Sequence, residues 1–314
     1  MKLLYFSLLF LFVPKLCISQ TSTIDRKIYL DSTWNETISE NYKYYRIIKD
    51  FYSVKDLYFI KDYYKSGVLQ MEGTSKTKDA NSKEGEFVFY YENGNKKAVT
   101  NYLKSRPKGK SSEWYENGTK KLEGEYTEDE KTFVGELKVF QYWNSKNVQT
   151  VLDGNGDLEE ISEFFFASGK IKNGFKDGKW EGYDKKIGYT FSENYENQKL
   201  FSGVSIDSNK VSRTYKMVEV RPEPKKGMMD FYKHVGKKFR TPDIKGLQGK
   251  IIIGFTIDKN GSIIEPKILK SVGYGTDEEA IRVLLDYPDW NPGEQRGRKV
   301  RCTYSLPISI QSPN

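Results

Sequence analysis

The side chains able to do chemistry are few and poorly placed for catalysis. His234 is the sole histidine of 314 residues. It lies between Lys233 and Val235, and no serine or cysteine nucleophile with a third orienting group accompanies it. Cysteine occurs twice, at Cys17 and Cys302, with no Cys-x-x-Cys and no histidine spacing suited to a metal. Asp153-Gly154-Asn155-Gly156-Asp157 opens like a calcium loop but lacks the glutamate at its twelfth position, so it reads as a turn. Glu159-Glu160 and Glu278-Glu279 are acidic pairs of the kind found on exposed strands and helix starts, not a dyad for glycan hydrolysis. The expectation is a non-enzymatic protein with no cofactor and no metal.

What remains is recognition by backbone. Val300, Cys302, Tyr304, Leu306, Ile308 and Ile310 alternate as one face of a strand, with Thr303 on the other. Pro307 has no backbone N–H, which is tolerated at a sheet edge and breaks a ladder in a central strand. An edge offers a row of unpaired N–H and C=O groups that an added strand can satisfy. Arg296, Arg298, Lys299 and Arg301 flank it with positive charge, which either favours an acidic peptide or guards the edge against aggregation.

The elements that must position this strand are legible upstream. Ile251, Ile253, Phe255 and Ile257 alternate, Asp258-Lys259-Asn260-Gly261 supplies a turn, and β-branched residues resume at Ile263 and Ile264, which predicts a hairpin. Thr276 with Glu279 reads as a capping box, Asp277 and Glu278 suit the helix dipole, and Ile281, Leu284 and Leu285 form an apolar stripe ending at Pro288. Earlier, Met228, Phe231, Tyr232, Val235 and Phe239 share one face of a predicted helix over 227–239.

These residues together resemble the C-terminal domain of the TonB energy-transducer family. The likeness rests on Gln248-Gly249-Lys250, the Asp258 to Gly261 turn, Asp277-Glu278-Glu279-Ala280, Trp290-x-Pro292-Gly293 and Tyr304-x-Leu306-Pro307-Ile308, in the family's order and spacing. It implies an α+β domain over 216–314 with a three-stranded antiparallel sheet and two helices. It further implies that Val300, Arg301, Cys302, Thr303, Tyr304, Ser305 and Leu306 form the partner-binding strand, pairing with the N-terminal box of an outer-membrane TonB-dependent receptor. Gly261, Trp290, Pro292 and Gly293 would be the structural motif, and Cys302 a packed core thiol where the family usually has valine.

Composition fits an exported protein. Lys2 precedes a short apolar run that ends at Cys17-Ile18-Ser19, predicting a secretory signal over 1–19, cleaved near Gln20, and a periplasmic or envelope location. The rival reading is an uncleaved membrane anchor, which is disfavoured because the run is well short of the ~20 residues a membrane span needs. The formal charge of +8 is spread along the chain with no nucleic-acid motif. Classical TonB proteins carry an inner-membrane helix and a long proline-rich spacer, whereas this chain has 10 prolines in no run. That weakens the implication of a motor partner.

The middle of the chain repeats. After a β segment over 20–62, the runs Tyr63-Tyr64-Lys65-Ser66-Gly67, Tyr90-Tyr91-Glu92-Asn93-Gly94 and Trp114-Tyr115-Glu116-Asn117-Gly118 place turn glycines 27 and 24 residues apart. Tyr142 to Lys146, Phe165 to Gly169 and Lys176 to Tyr183 read as weaker units. Gly85 and Gly109 open the leading strands, and aromatic residues fill them. These units resemble MORN-type repeats, giving a mostly β array of hairpins over 63–215 and a junction at Arg221-Pro222-Glu223-Pro224. The predicted function is a TonB-like transport component with the array as spacer or binding surface; the alternative is an envelope structural module whose repeats hold a protein or peptidoglycan.

Overall fold

Turn chemistry builds the first part of the chain. In the computed structural model, which describes residues 24–128, 135–196, 198–288 and 290–312, Gly67, Gly94 and Gly118 take φ values of 89°, 86° and 85°. Each donates its N–H to the carbonyl three residues back, at Tyr64, Tyr91 and Tyr115, all at 2.9 Å. The positive φ is the reason glycine recurs there. The signal expected over 1–19 lies outside the described residues.

Contacts divide the chain into two units, Met1–Lys121 with Glu125–Glu136, and Leu122–Gly124 with Leu137–Asn314. This is not the division at 215/216 that the proline-containing junction suggests, because the second half of the array clusters with the last domain.

The first unit contains β1 (Arg26–Leu30), β2 (Tyr44–Ile48), β3 (Tyr58–Tyr64), β4 (Leu69–Ser75), β5 (Lys83–Tyr90), β6 (Lys96–Leu103) and β7 (Arg106–Trp114), with much of β8 (Lys120–Glu128). From β1 to β7 each strand pairs antiparallel with the next. Ile48, Ile60, Met71 and Phe87 form its core. The repeats are stitched by phenols at equivalent positions: Tyr64 donates to the Tyr90 carbonyl at 2.8 Å and Tyr91 to the Trp114 carbonyl at 2.9 Å. A hairpin that is marginal alone is thereby tied to its neighbour.

The second unit opens with a meander in sequence order: β9 (Gly135–Trp143), β10 (Gln149–Leu152), β11 (Asn155–Ile161), β12 (Phe165–Lys172), β13 (Phe175–Asp184), β14 (Tyr189–Glu196), β15 (Lys199–Asp207) and β16 (Ser212–Tyr215). Val151, Ala167, Trp180 and Phe191 lie in its core. The expected unit at Phe165 to Gly169 is strand, not turn. Its Gly169 is needed because a Cβ there would come within 2.4 Å of the Trp180 ring. At Tyr142 to Lys146 the turn does form, with Asn147 at φ 59° where the stronger repeats have glycine.

The C-terminal part adds β17 (Glu219–Val220), β18 (Glu223–Pro224), α1 (Met228–Lys238), β19 (Gln248–Ile257), β20 (Ile263–Lys270), α2 (Thr276–Leu285), β21 (Trp290–Asn291), β22 (Gly293–Gln295), β23 (Arg298–Val300) and β24 (Cys302–Gln311). β20, β19 and β24 form the expected three-stranded antiparallel sheet in that order. Phe231, Ile251, Ile253, Phe255, Leu284 and Trp290 are among its core. Tyr232, expected on the buried face of α1, is 50% exposed. The capping box at Thr276 does not form. Gly275 caps the helix in the left-handed region, while Thr276 donates its hydroxyl to the Gly273 carbonyl at 2.6 Å. Glu279 turns instead to Arg282 and to the Arg240 N–H. No described helix is long and apolar enough to cross a membrane.

Candidate functional site

The register of β24 on β19 decides which backbone groups are free. Ile257 pairs with Cys302, Phe255 with Tyr304, Ile253 with Leu306 and Ile251 with Ile308, while Pro307 stands opposite Ile252. Proline donates nothing, so the Pro307 position is a non-hydrogen-bonded pair, and alternation gives Thr303, Ser305 and Ser309 the same orientation. Their N–H and C=O groups point away from β19. Among the described residues β24 has no second neighbour in its sheet, and the side chains of Thr303, Ser305, Pro307 and Ser309 are exposed. The outcome is an open edge with donors at Thr303, Ser305 and Ser309 and a gap at Pro307.

β20 is the sheet's other edge. Its ladder shifts register twice, Glu265 is held at φ 52°, and Pro266 lies within it. Bulges and proline are how proteins blunt an edge. The straighter β24 is therefore the better template.

The seven residues expected to bind a partner divide by position. Thr303 and Ser305 lie on the open edge and face outward. Cys302, Tyr304 and Leu306 face inward: Tyr304 stacks on Phe255 at 5.9 Å between ring centres and donates its hydroxyl to the Pro222 carbonyl at 2.8 Å. The Cys302 sulfur sits 2.5 Å from where a Cβ on Gly293 would be, which explains glycine there, and burial raises its thiol pKa. Val300 belongs to β23 and pairs with Gly293. Arg301 sits between the two strands, so the single strand expected from Val300 to Ile310 is broken at that residue.

Of the four cations expected to flank the edge, three are engaged within the protein. Arg301 pairs with Glu265 at 2.9 Å and Asp258 at 3.2 Å. Arg298 lies 4.4 Å over the Tyr189 ring, with its Nη1 buried and without a hydrogen-bond partner. Lys299 is exposed. Arg296 is buried, with its Nε 2.8 Å from Glu193 Oε1 and its guanidinium 3.9 Å over the Phe191 ring. Tyr215 and Tyr195 donate hydroxyls to the same carboxylate at 2.8 and 2.9 Å, and Ser205 donates to the Arg296 carbonyl at 2.8 Å. Burial, with the Glu193 charge adding to it, pushes both phenol pKa values far up. Burial opposes the Arg296 charge, yet Glu193 raises its pKa on balance. This cluster joins β14, β15 and β16 to the β22–β23 turn. The sequence carried half of the signal: Glu193 alternates with Tyr189, Phe191 and Tyr195, an acid on an aromatic face.

The structural motif holds the edge in place. A Cβ on Gly261, at φ 95°, would come within contact distance of the Trp290 carbonyl, whose residue donates its N–H to the Gly261 carbonyl at 2.8 Å. Trp290 is fully buried against Phe231, Phe255 and Tyr304. The hairpin turn and the segment leading to β24 are thus clamped together. Residues 243–309 match the family model described as Gram-negative bacterial TonB protein C-terminal. This segment is similar to a TonB C-terminal domain. The matched span begins later than the 216 expected and covers the sheet, α2 and most of β24 but not α1. No curated protein and no solved structure matches the chain. The TonB-type domain therefore carries the functional assignment.

Proposed function

We propose that this protein is a transport-related component of the cell envelope whose TonB-type domain binds an extended segment of an outer-membrane receptor by strand addition to β24. The observation that carries the reading is the one-sided pairing of β24, with Thr303, Ser305 and Ser309 directed outward. Main-chain bonds would supply affinity and alternate side chains selectivity. Arg296 and Arg301 are engaged internally, so acidic residues in the partner are a minor determinant. The array would act as the spacer that presents the domain, or as a second binding surface.

Thr303→Pro tests this. It removes an outward donor without touching the β19 ladder, so the variant should stay folded and lose most of its binding to a synthetic receptor N-terminal peptide in a calorimetric titration. Undiminished binding contradicts strand addition.

A non-transporting envelope module is the second reading. It draws on the outer face of β12 to β15, where Phe166, Tyr183, Val204 and Ile206 line an open depression of about 530 Å³. Ile206→Glu in the full chain should abolish pelleting with purified peptidoglycan if that face holds glycan, and leave receptor-peptide binding unchanged.

A further inference from the structure

The solvent-facing side of the C-terminal sheet is not flat. Gly254 of β19 pairs with Ser305 of β24 on one side and Lys267 of β20 on the other, so the two positions nearest the open edge carry minimal side chains. Thr256 with Thr303 and Ile252 with Pro307 form the rows on either side. The β20 ladder shifts register between Ile252 and Ile253, leaving Leu269 as the residue without a Cα partner. A bulge of this kind re-aims a side chain. Leu269 lies over Gly254, its methyl carbon 3.2 Å from where a Cβ would be, and is still 57% exposed. The result is an open depression of about 440 Å³ bounded by Gly254, Leu269, Thr303 and Ser305, with Glu265 and Lys267 of β20 also lining it.

We infer that this depression is a side-chain subsite of the strand-addition edge, and that the partner residue seated opposite Ser305 is a large apolar one, best an aromatic. The inference rests on the reading of β24 as the peptide-binding edge. A peptide paired to β24 continues the sheet, and its residue opposite Ser305 points its side chain to the same solvent-facing side. That Cβ stands about 10 Å, two strand spacings, from the Gly254 position. An aromatic ring laid over Ser305 reaches across toward the Leu269 methyl groups above Gly254, whereas a small side chain leaves the exposed leucine unpaired. No side chain at Gly254 obstructs it, and the flanking rows fix the ring laterally. Leu269 is thus a specificity-determining residue contributed from the far strand of the sheet.

The test uses the full chain and a display library of random nine-residue peptides, followed by affinity measurements on selected peptides. Thr303→Pro serves as the control for strand addition, and Leu269→Ser and Leu269→Met as the subsite variants. The selected peptides should share a large apolar residue at one position. Its replacement by serine should weaken binding about tenfold, the scale of burying much of one apolar side chain. Leu269→Ser should produce the same loss, the two losses should not add, and Leu269→Met should bind as the unchanged protein does. If Thr303→Pro abolishes binding while Leu269→Ser leaves it unchanged, strand addition stands and the subsite is overturned. If Thr303→Pro binds normally, both are overturned.

Discussion

Glu193 and Arg296 show what single residues decide here. A carboxylate and a guanidinium buried together are costly to separate, because removing one leaves the other without its counter-charge in a low-dielectric site. Arg296→Met should therefore destabilise the protein by about 3 to 5 kcal/mol in urea denaturation. Adding Glu193→Gln to that variant should recover most of the loss, and failure to recover would show that Arg296 acts through packing alone. Trp290→Ala should cost about 3 to 5 kcal/mol, as expected for emptying a buried aromatic site. Trp290→Phe should cost clearly less, since the indole Nε1 has no hydrogen-bond partner to lose. The motif around Trp290 was legible because its parts are close in sequence. The Glu193 site was missed: Tyr189, Phe191, Glu193 and Tyr195 alternate and so place an acid on an aromatic face, but its cation is 103 residues away, and Arg296 looked like one of four similar edge charges.

Among the elements, α2 departs most from its sequence signature. Thr276 and Glu279 have capping-box spacing, but Gly275 already caps the helix, which frees Glu279 to take Arg282 and the Arg240 N–H. Hydrogen bonding from Arg282, chiefly, holds the Glu279 pKa down at about 2. A depressed carboxylate pKa adds stability above its unfolded value, and that stability is lost as the pH falls through the folded value. This contribution should be whole above about pH 4.5 and fade toward pH 2. Glu279→Gln should flatten that part of the stability profile, as read by melting temperature across the range; an unchanged acid profile would show that the pair contributes nothing in solution, the usual fate of an exposed ion pair. In β24, strand, edge and inward face all follow from alternation plus Pro307. The break at Arg301 did not, because Val300 continues the apolar alternation and only the pairing with Gly293 shows that it serves another sheet.

At the scale of the whole molecule, the buried cluster at Arg296 ties the last domain to β14, β15 and β16, so Arg221 to Pro224 is not where the chain should part. Limited proteolysis should yield a stable C-terminal fragment beginning between Leu122 and Leu137, where the contact division falls. A folded fragment beginning near residue 216 would contradict this. The repeats were legible as turns because three glycines recur at nearly one spacing, while the grouping of the later strands with the last domain depends on long-range contacts that no local pattern encodes. Strand addition requires the open edge of β24, and amide hydrogen exchange reads that edge directly. In the free protein the Thr303, Ser305 and Ser309 amides should exchange quickly while those of Tyr304, Leu306 and Ile308, bonded to β19, exchange slowly. Saturation with a receptor N-terminal peptide should slow Thr303 and Ser305 and leave the β20 edge unchanged. Unaltered exchange at Thr303 and Ser305 in the peptide-bound protein would contradict strand addition at β24.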